Sequence, residues 1–585
     1  MLKFYTLKNS PNSLVCIGAL TDRLPSDAQA LALEPYIQVE RESFIRDYTH
    51  LIATLNAKYK DQLLWWATDL SSKNGYFCSL PDLILELLEI EKVLKAYPDQ
   101  PLWIVSPSIG IYKSLHKLCG QYGRKLIWPA ASFQEPWERI KAWQMGLLRL
   151  LMRSMRFYLR SIQSRLALHR YAKVRLSKEK EFYVVKTFSY DSSWDKEGHY
   201  TDSYFGRLPR FLVQEQPVVI LSYHWQGLTQ FLQRIQREKD LVMLPVEFFL
   251  KTGDFIRAIW EVSTFRISVD KSVDFRGMDI ADTIRFELRS MNGIQVFQLL
   301  HHDATCRLLK DIKVKTWTMT FENNPWERMC MLALRRYSPA TKILGYQHSV
   351  VPEAALNMFV HPSEKNIVPL PDKILTTGDV PKDILQHYGD YGRVPLVSAC
   401  ALRYEYLSQL KPAHQAMGCH RLLAVLDGVE QTHVMLKYLL SCTPHPSYRL
   451  RIRCHPALPW EVLAQKFHVD MSTHPQIEVS KAPLGDDFAW ADAVMYWQST
   501  VVLEAVGLGK PVINFKPGDV LSYDPLFQIK AFKWIVTPET SLIDTINIIN
   551  QMDQSLYSRE FEAAIHFLQR YFHPVSPETL RLFVV

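Results

Sequence analysis

The fold class this sequence predicts is α/β, with more than one parallel-sheet unit, and three observations carry it. Short apolar runs of strand length recur along the chain with helix-like segments between them, the rhythm of βαβ units. The 585 residues exceed what one core holds and correspond to three or four domains at roughly 100 to 200 residues each. A hydrophobic content of 48% and a charged content of 22% are those of an ordinary globular chain, made aromatic-rich by 15 Trp and 27 Tyr.

Composition narrows the function classes. A net charge of +8 is modest for this length and argues neither for nor against nucleic acid. The nine Cys are scattered without a CxxC pair, so neither a zinc site nor a disulfide framework is indicated, and a reducing cytosol is expected. The apolar run at 13–20 is too short for a secretory signal. No uncharged apolar stretch reaches about 18 residues, so no membrane span is expected and any membrane contact is peripheral, on the inner face of the cytoplasmic membrane.

Four segments follow in order. In residues 1–133, apolar runs at 13–20, 102–105 and 125–128 alternate with a helical pattern at 81–97, a small α/β domain. Within it, residues 65–74 read as a polar loop after an apolar start, structural in role. Residues 134–178 form a basic helical connector carrying Arg149, Arg153, Arg156, Arg160, Arg165, Arg170, Lys173 and Arg175, with no acidic residue between Glu138 and Glu179. A basic amphipathic helix of this kind lies on an anionic bilayer with Leu, Met and Phe at the interface; its plainer role is to bridge two domains.

Residues 179–338 carry strand-like runs at 181–187, 217–222, 241–245 and 315–320, followed by Pro325 where a helix can begin and Glu327 at its positive end. Residues 339–585 carry seven more, at 342–346, 372–376, 422–426, 450–453, 477–479, 493–496 and 511–515, spaced as in an open parallel sheet. Two α/β units in succession imply a two-lobed enzyme with a cleft.

Ligands of open α/β sheets bind beyond the carboxyl ends of the strands. There the run at 422–426 delivers Asp427 and Gly428, while the run at 450–453, with Arg451 and Arg453, delivers His455 and Pro456. The run at 493–496 delivers Gln498, Ser499 and Thr500 at the start of a helix carrying Glu504. Hydroxyls and N–H groups at a helix start suit an anion, an imidazole flanked by arginines suits a departing phosphate, and a carboxylate suits removal of an acceptor proton. Each has a plainer reading. His-Pro recurs at 361, 445, 474 and 573, Asp-Gly is a common turn pair, and Ser or Thr often caps a helix. In the second unit Glu322 and Asp202 are alternative bases, and Gln347 and His348 lie on an expected interlobe loop.

Other signatures are missing: GxxxxGK[ST], HExxH, GxSxG and a convincing GxGxxG. The adjacent Asp486 and Asp487 precede a helix-like segment and close no clear strand, so the reading is metal-independent, without a cofactor.

The third unit resembles the nucleotide-binding lobe of GT-B glycosyltransferases, particularly bacterial sialyltransferases and Kdo transferases. Their acidic-acidic-Gly, His-Pro and Ser-Ser/Thr motifs match Leu426-Asp427-Gly428, His455-Pro456 and Ser499-Thr500 in order. The resemblance implies a GT-B-like pair of Rossmann-type domains, preceded here by the N-terminal α/β domain and the basic connector. It implies a CMP-activated acidic sugar as donor, Asp427 as base, His455 on the phosphate, and Ser499 with Thr500 holding phosphate or sugar carboxylate. Leu426 departs from the motif's first acidic position and keeps Glu322 and Asp202 open as bases. Through YQHSVVPE, ENNPWER and QSTVVLEAVGLGKPVI the whole chain is similar to bacterial surface-carbohydrate biosynthesis proteins, which implies a glycan or lipid-linked acceptor. CDP-glycerol phosphotransferases look similar in plan and are the alternative; a non-catalytic glycan-assembly scaffold and, last, a nucleic-acid binder complete the set.

Overall fold

The computed structural model describes residues 3–7, 14–17, 28–30, 38–96, 102–104, 108–124, 126–127, 131–290, 294–412, 418–442, 445, 447–470, 474–518 and 521–585. In the first domain β1 (Lys3–Leu7), β2 (Leu14–Ile17), β3 (Ala28–Ala30), β4 (Leu102–Ile104) and β5 (Leu126–Ile127) form a sheet of order β3-β1-β2-β4-β5. The three apolar runs are strands there, and their outer positions 13, 18–20, 105, 125 and 128 lie outside the described residues. Residues 65–74 correct the sequence reading. They take in the end of helix Leu63–Trp66 and all of helix Asp69–Ser72, with Lys73 capping the second, and Trp65, Lys73 and Asn74 are buried rather than solvated.

The basic segment is one helix, Ala131–Arg175, 45 residues and so about 68 Å long at roughly 1.5 Å per residue. From Leu150 onward it buries one stripe, Leu150, Ser154, Phe157, Ser161, Ser164, Leu168 and Ala172, spaced three or four apart as a helix face requires. Arg160 leaves the expected basic surface: it is buried, donates to Glu247 Oε1 at 2.7 Å and to the His224 carbonyl at 2.9 Å, and lies over the Tyr223 ring.

The second sheet joins β6 (Glu181–Ser189), β7 (Val218–His224), β8 (Val242–Pro245), β11 (Lys313–Thr320), β12 (Lys342–Tyr346), β13 (Lys373–Thr376) and β14 (Leu396–Ser398). Between β8 and β11 a two-stranded ribbon, β9 (Asp274–Phe275) and β10 (Met278–Asp279), stands apart. The seven strands are parallel in the order β14-β13-β12-β11-β6-β7-β8. Helices cover both faces, which is why β7 is buried along its whole length and reads as a continuous apolar run. Strand order reverses between β6 and β11.

The third sheet has β15 (Arg421–Val425), β16 (Arg449–Arg453), β17 (Ile477–Val479), β18 (Ala493–Tyr496), β19 (Val512–Phe515) and β20 (Lys533–Val536) in the order β17-β16-β15-β18-β19-β20, all parallel. Its order reverses between β15 and β18. The two sheets are the pair of Rossmann-type units expected from the sequence, but the boundary drawn at 338/339 falls inside the second one. β12, β13 and β14 hydrogen-bond onto β11 and extend that lobe to Ser398. Short βαβ spacing looks the same on either side of a domain boundary, so only the pairing partner of β12 reveals its sheet.

The chain then returns. Helix Gln554–Tyr571 packs on helix Val502–Gly507 of the third lobe and helix Asp379–Tyr388 of the second. Beyond it the Ala401 N–H reaches the His573 carbonyl at 2.9 Å, and Leu580 and Phe583 are buried in the second lobe's core.

Candidate functional site at the facing strand ends

β16, β15 and β18 are neighbours in the third sheet, so the segments leaving their carboxyl ends meet. The register pairs Val425 with Arg453 on one side and with Tyr496 on the other. Asp427 accordingly accepts the backbone N–H of Gln498, and the Leu426 N–H donates to the Arg453 carbonyl at 2.9 Å. This is the reversal point of strand order, where doubly wound sheets open a crevice.

Gly428 lies against His455. A Cβ there would stand 2.5 Å from His455 Nδ1, closer than packing permits, so the glycine is required by the imidazole and not by the turn, its φ being negative. His455 Nδ1 accepts the Ala457 N–H at 3.0 Å, which leaves the proton on Nε2 of the exposed ring. Partial burial pushes its pKa down, so the ring is neutral and an Nε2–H donor at neutral pH.

Asp427 is 8% exposed, and its Oδ2 has no hydrogen-bond partner among the described residues. Burial pushes its pKa up to about 7, partly opposed by the Gln498 N–H. A carboxylate so poised is a base at neutral pH. Neither the Ser499 nor the Thr500 hydroxyl has a partner among the described residues, and helix Val502–Gly507 starts without a side-chain cap. The capping role open to them in the sequence is not used.

Other expected donor residues are engaged elsewhere. Arg451 Nη1 and Arg453 Nη1 both reach the buried Asp487, at 3.2 and 2.6 Å, and Arg451 also stacks 4.0 Å over the Trp490 ring. They alternate with buried Leu450 and Ile452 and share one face of β16. The Asp486–Asp487 pair is thereby half committed to an ion-pair knot. Glu504 accepts the Tyr406 hydroxyl at 2.9 Å, and burial pushes its pKa up. Pro456 is exposed beside His455.

Across the cleft, Glu322 follows β11 at the reversal point of the second sheet. Its Oε1 accepts the Ser349 hydroxyl at 2.6 Å and its Oε2 the Asn324 side chain at 3.1 Å. Asn323 holds the turn at φ 57°, and Pro325 opens helix Pro325–Tyr337 as the sequence predicts, Glu327 accepting the Asn324 N–H at 2.9 Å. His348 is buried, 3.8 Å from Glu322 and edge-on to the Tyr204 ring; burial pushes its pKa down to about 4. The 347–358 loop does bridge the lobes, since the Ala354 N–H donates to the Ser522 carbonyl at 3.0 Å and the Val351 N–H to the Tyr571 hydroxyl at 2.8 Å.

One expectation is corrected here. Asp202 is no base: it is 3% exposed and accepts Thr187 Oγ1, Tyr200 Oη and the Tyr204 and Phe205 N–H groups, closing its own turn. Gln347 lies on the interlobe loop as expected, but its side chain is fully buried, bridging the Thr377 N–H and the Ser349 carbonyl. Sequence reasoning also missed Arg403, exposed over the Tyr204 and Tyr404 rings without an ion-pair partner among the described residues, and Tyr76 of the first domain. Neither sits in a motif. Among the described residues, the cluster with metal-ligand spacing is the exposed Asp195, Glu197 and His199, and it includes none of these groups.

No family model matches the chain, and a search of curated proteins finds no match. Among solved structures it is similar to an α,α-trehalose-phosphate synthase (UDP-forming) from Burkholderia vietnamiensis, at 10% identity and a TM-score of 0.37 over 68% of this chain and 98% of that one. TarM is similar at 11% identity and a TM-score of 0.39 over 70% and 99%, and the calicheamicin glycosyltransferase CalG4 at 10% and 0.36 over 67% and 95%.

Proposed function

We propose that the protein is a metal-independent inverting glycosyltransferase that moves a CMP-activated acidic sugar, of nonulosonate or Kdo type, to a glycan or lipid-linked acceptor in bacterial surface polysaccharide synthesis. The observation that supports it most is the meeting of Asp427, His455 and the Ser499–Thr500 hydroxyls at one reversal point, opposite Glu322 at the other. In this reading Asp427 Oδ2 takes the acceptor hydroxyl proton as that oxygen attacks the anomeric carbon. The bond from that carbon to the CMP phosphate breaks, and His455 Nε2–H with the two hydroxyls stabilises the departing charge. Asp427 is preferred to Glu322 because its Oδ2 is unengaged, whereas both Glu322 oxygens already accept hydrogen bonds.

The long helix supports a membrane-surface acceptor. Trp137, Ile140, Leu148, Met152, Met155 and Leu159 are exposed along it together with Arg149, Arg153 and Arg156, and no described helix is long and apolar enough to cross a membrane. Flotation with anionic vesicles checks this, and failure of the intact protein to float removes it.

The deciding experiment is a thermal-shift panel of CMP, CDP, UDP and GDP followed by transfer assays on His455→Ala and Ser499→Ala. CMP is expected to raise Tm most, and each substitution to cost about 100-fold in transfer. Full activity in both variants overturns the assignment. Stabilisation by CDP-glycerol above CMP-sugars moves the reading to glycerophosphate transfer, and nucleotide binding without turnover moves it to a scaffold.

A further inference from the structure

Two adjacent aromatics of the first domain stand exposed, one of them against the third lobe. Tyr76 is 67% and Phe77 70% exposed, so the two adjacent side chains present aromatic surface to solvent. Tyr76 packs on Tyr523 of the third lobe, ring centroids 4.6 Å apart, and Gly75 leaves room for the Tyr523 side chain, since a Cβ there would stand 2.7 Å from the Tyr523 hydroxyl. Crowding by the surrounding lobes pushes the Tyr76 pKa up to about 12, with further contributions from Glu322 and Asp427. The ring therefore lies within electrostatic reach of both candidate carboxylates.

The loop carrying these rings is fixed before any ligand arrives. Lys73, in the left-handed region at φ 64°, is fully buried in an ion pair with Glu364, which Asn56 also holds at 2.6 Å. Asn74 donates to Asn324 at 2.7 Å, next to Glu322, and accepts the Tyr76 N–H at 3.0 Å. Arg328 donates to the Ser71 carbonyl at 2.9 Å. A pyranose ring presents a C–H face and hydroxyl edges; an exposed aromatic face on a loop joined through Asn324 to Glu322 matches both, and a rigid loop spares the ordering cost of binding.

We propose that Tyr76 and Phe77 form the platform on which a sugar ring of the acceptor stacks, so that the N-terminal domain contributes the acceptor subsite. This deepens the transferase reading and rests on it. The acceptor side is favoured over the nucleobase because the loop's buried polar anchors, Lys73 on Glu364, Asn74 on Asn324 and Ser71 on Arg328, all tie it to the lobe of Glu322, and its contact with the third lobe is the Tyr76–Tyr523 ring pair.

The test titrates the full-length protein with methyl β-D-galactopyranoside, methyl β-D-glucopyranoside and chitobiose by saturation-transfer NMR, with CMP binding measured in parallel by thermal shift. Tyr76→Ala and Phe77→Ala are expected to weaken the best glycoside about ten-fold, Tyr76→Phe to retain it, and all three to keep the CMP shift, with Tyr76→Ala melting a little lower because it loses the Tyr523 ring contact. Glycoside binding that survives both alanine variants, or no binding of any probe by the wild type, overturns the platform. So does loss of the CMP shift in Tyr76→Ala, which makes the ring a base-stacking group. A wild type that binds glycosides but not CMP leaves the platform standing and sinks the donor reading alone.

Discussion

Asp427 differs from an ordinary surface carboxylate because one oxygen is buried without a donor. Its pKa in the folded state, about 7, lies above the roughly 3.9 of an unfolded Asp, so the folded state holds the proton more tightly. The stability this preference contributes is full below about pH 4 and is lost as pH rises through about 7. Asp427→Asn is therefore expected to gain Tm relative to the wild type across that window and to hold a constant difference above it, as thermal melts at several pH values will show. If Asp427 is the base, the same group makes kcat/KM rise with pH to a plateau above about 7, and the Asn variant loses about 100-fold or more in kcat. Gly428→Ala gives a second test at this scale. The added carbon strikes His455, and the ring must leave the Ala457 N–H, so transfer falls while stability drops about 1–3 kcal/mol, read by assay and by urea unfolding.

At the scale of elements, β16 shows what an alternating strand conceals. Arg451 and Arg453 flank His455 in sequence and read as phosphate ligands, yet both guanidinium groups are held by Asp487, which also accepts Ser480 Oγ at 2.7 and 2.8 Å. Asp487→Ala removes a fully buried partner from two cations and is expected to cost about 3–5 kcal/mol in urea unfolding, far more than an exposed pair would. The strands themselves were legible: the runs at 342–346, 477–479 and 493–496 are strands at those residues, the first and last because a buried parallel strand must be apolar on both faces, and the edge strand 477–479 through the alternation of Ile477 and Val479 about the exposed Glu478. The site residues leaving them were legible for the same reason, since Asp427, His455 and Ser499 follow strand ends directly. Asp202 and Gln347 were not, because whether a polar side chain turns outward or satisfies its own loop depends on partners far away in sequence or on turn geometry. Tyr76 lies 246 and 351 positions before Glu322 and Asp427, and no spacing in the chain announces that meeting.

For the whole molecule, the sheet assignment of β12 to β14 and the return of the chain past Tyr571 were beyond sequence reading, because strand rhythm gives order along the chain and not the neighbour across it. That return is testable. Deleting residues 577–585 strips Leu580 and Phe583 from the second lobe's core, about 3–6 kcal/mol at roughly 1.5–3 per buried side chain. Hydrogen exchange is expected to quicken in β6 and β12, which those residues cover, and to stay unchanged in β15 and β18.

Because the polypeptide passes between the lobes twice, once after Ser398 and once after Tyr571, the lobes resemble a door hung on two hinges. Any motion that alters the gap between Glu322 and Asp427 has to carry both crossings with it and release or stretch the contacts of Ala354 with Ser522 and of Val351 with Tyr571.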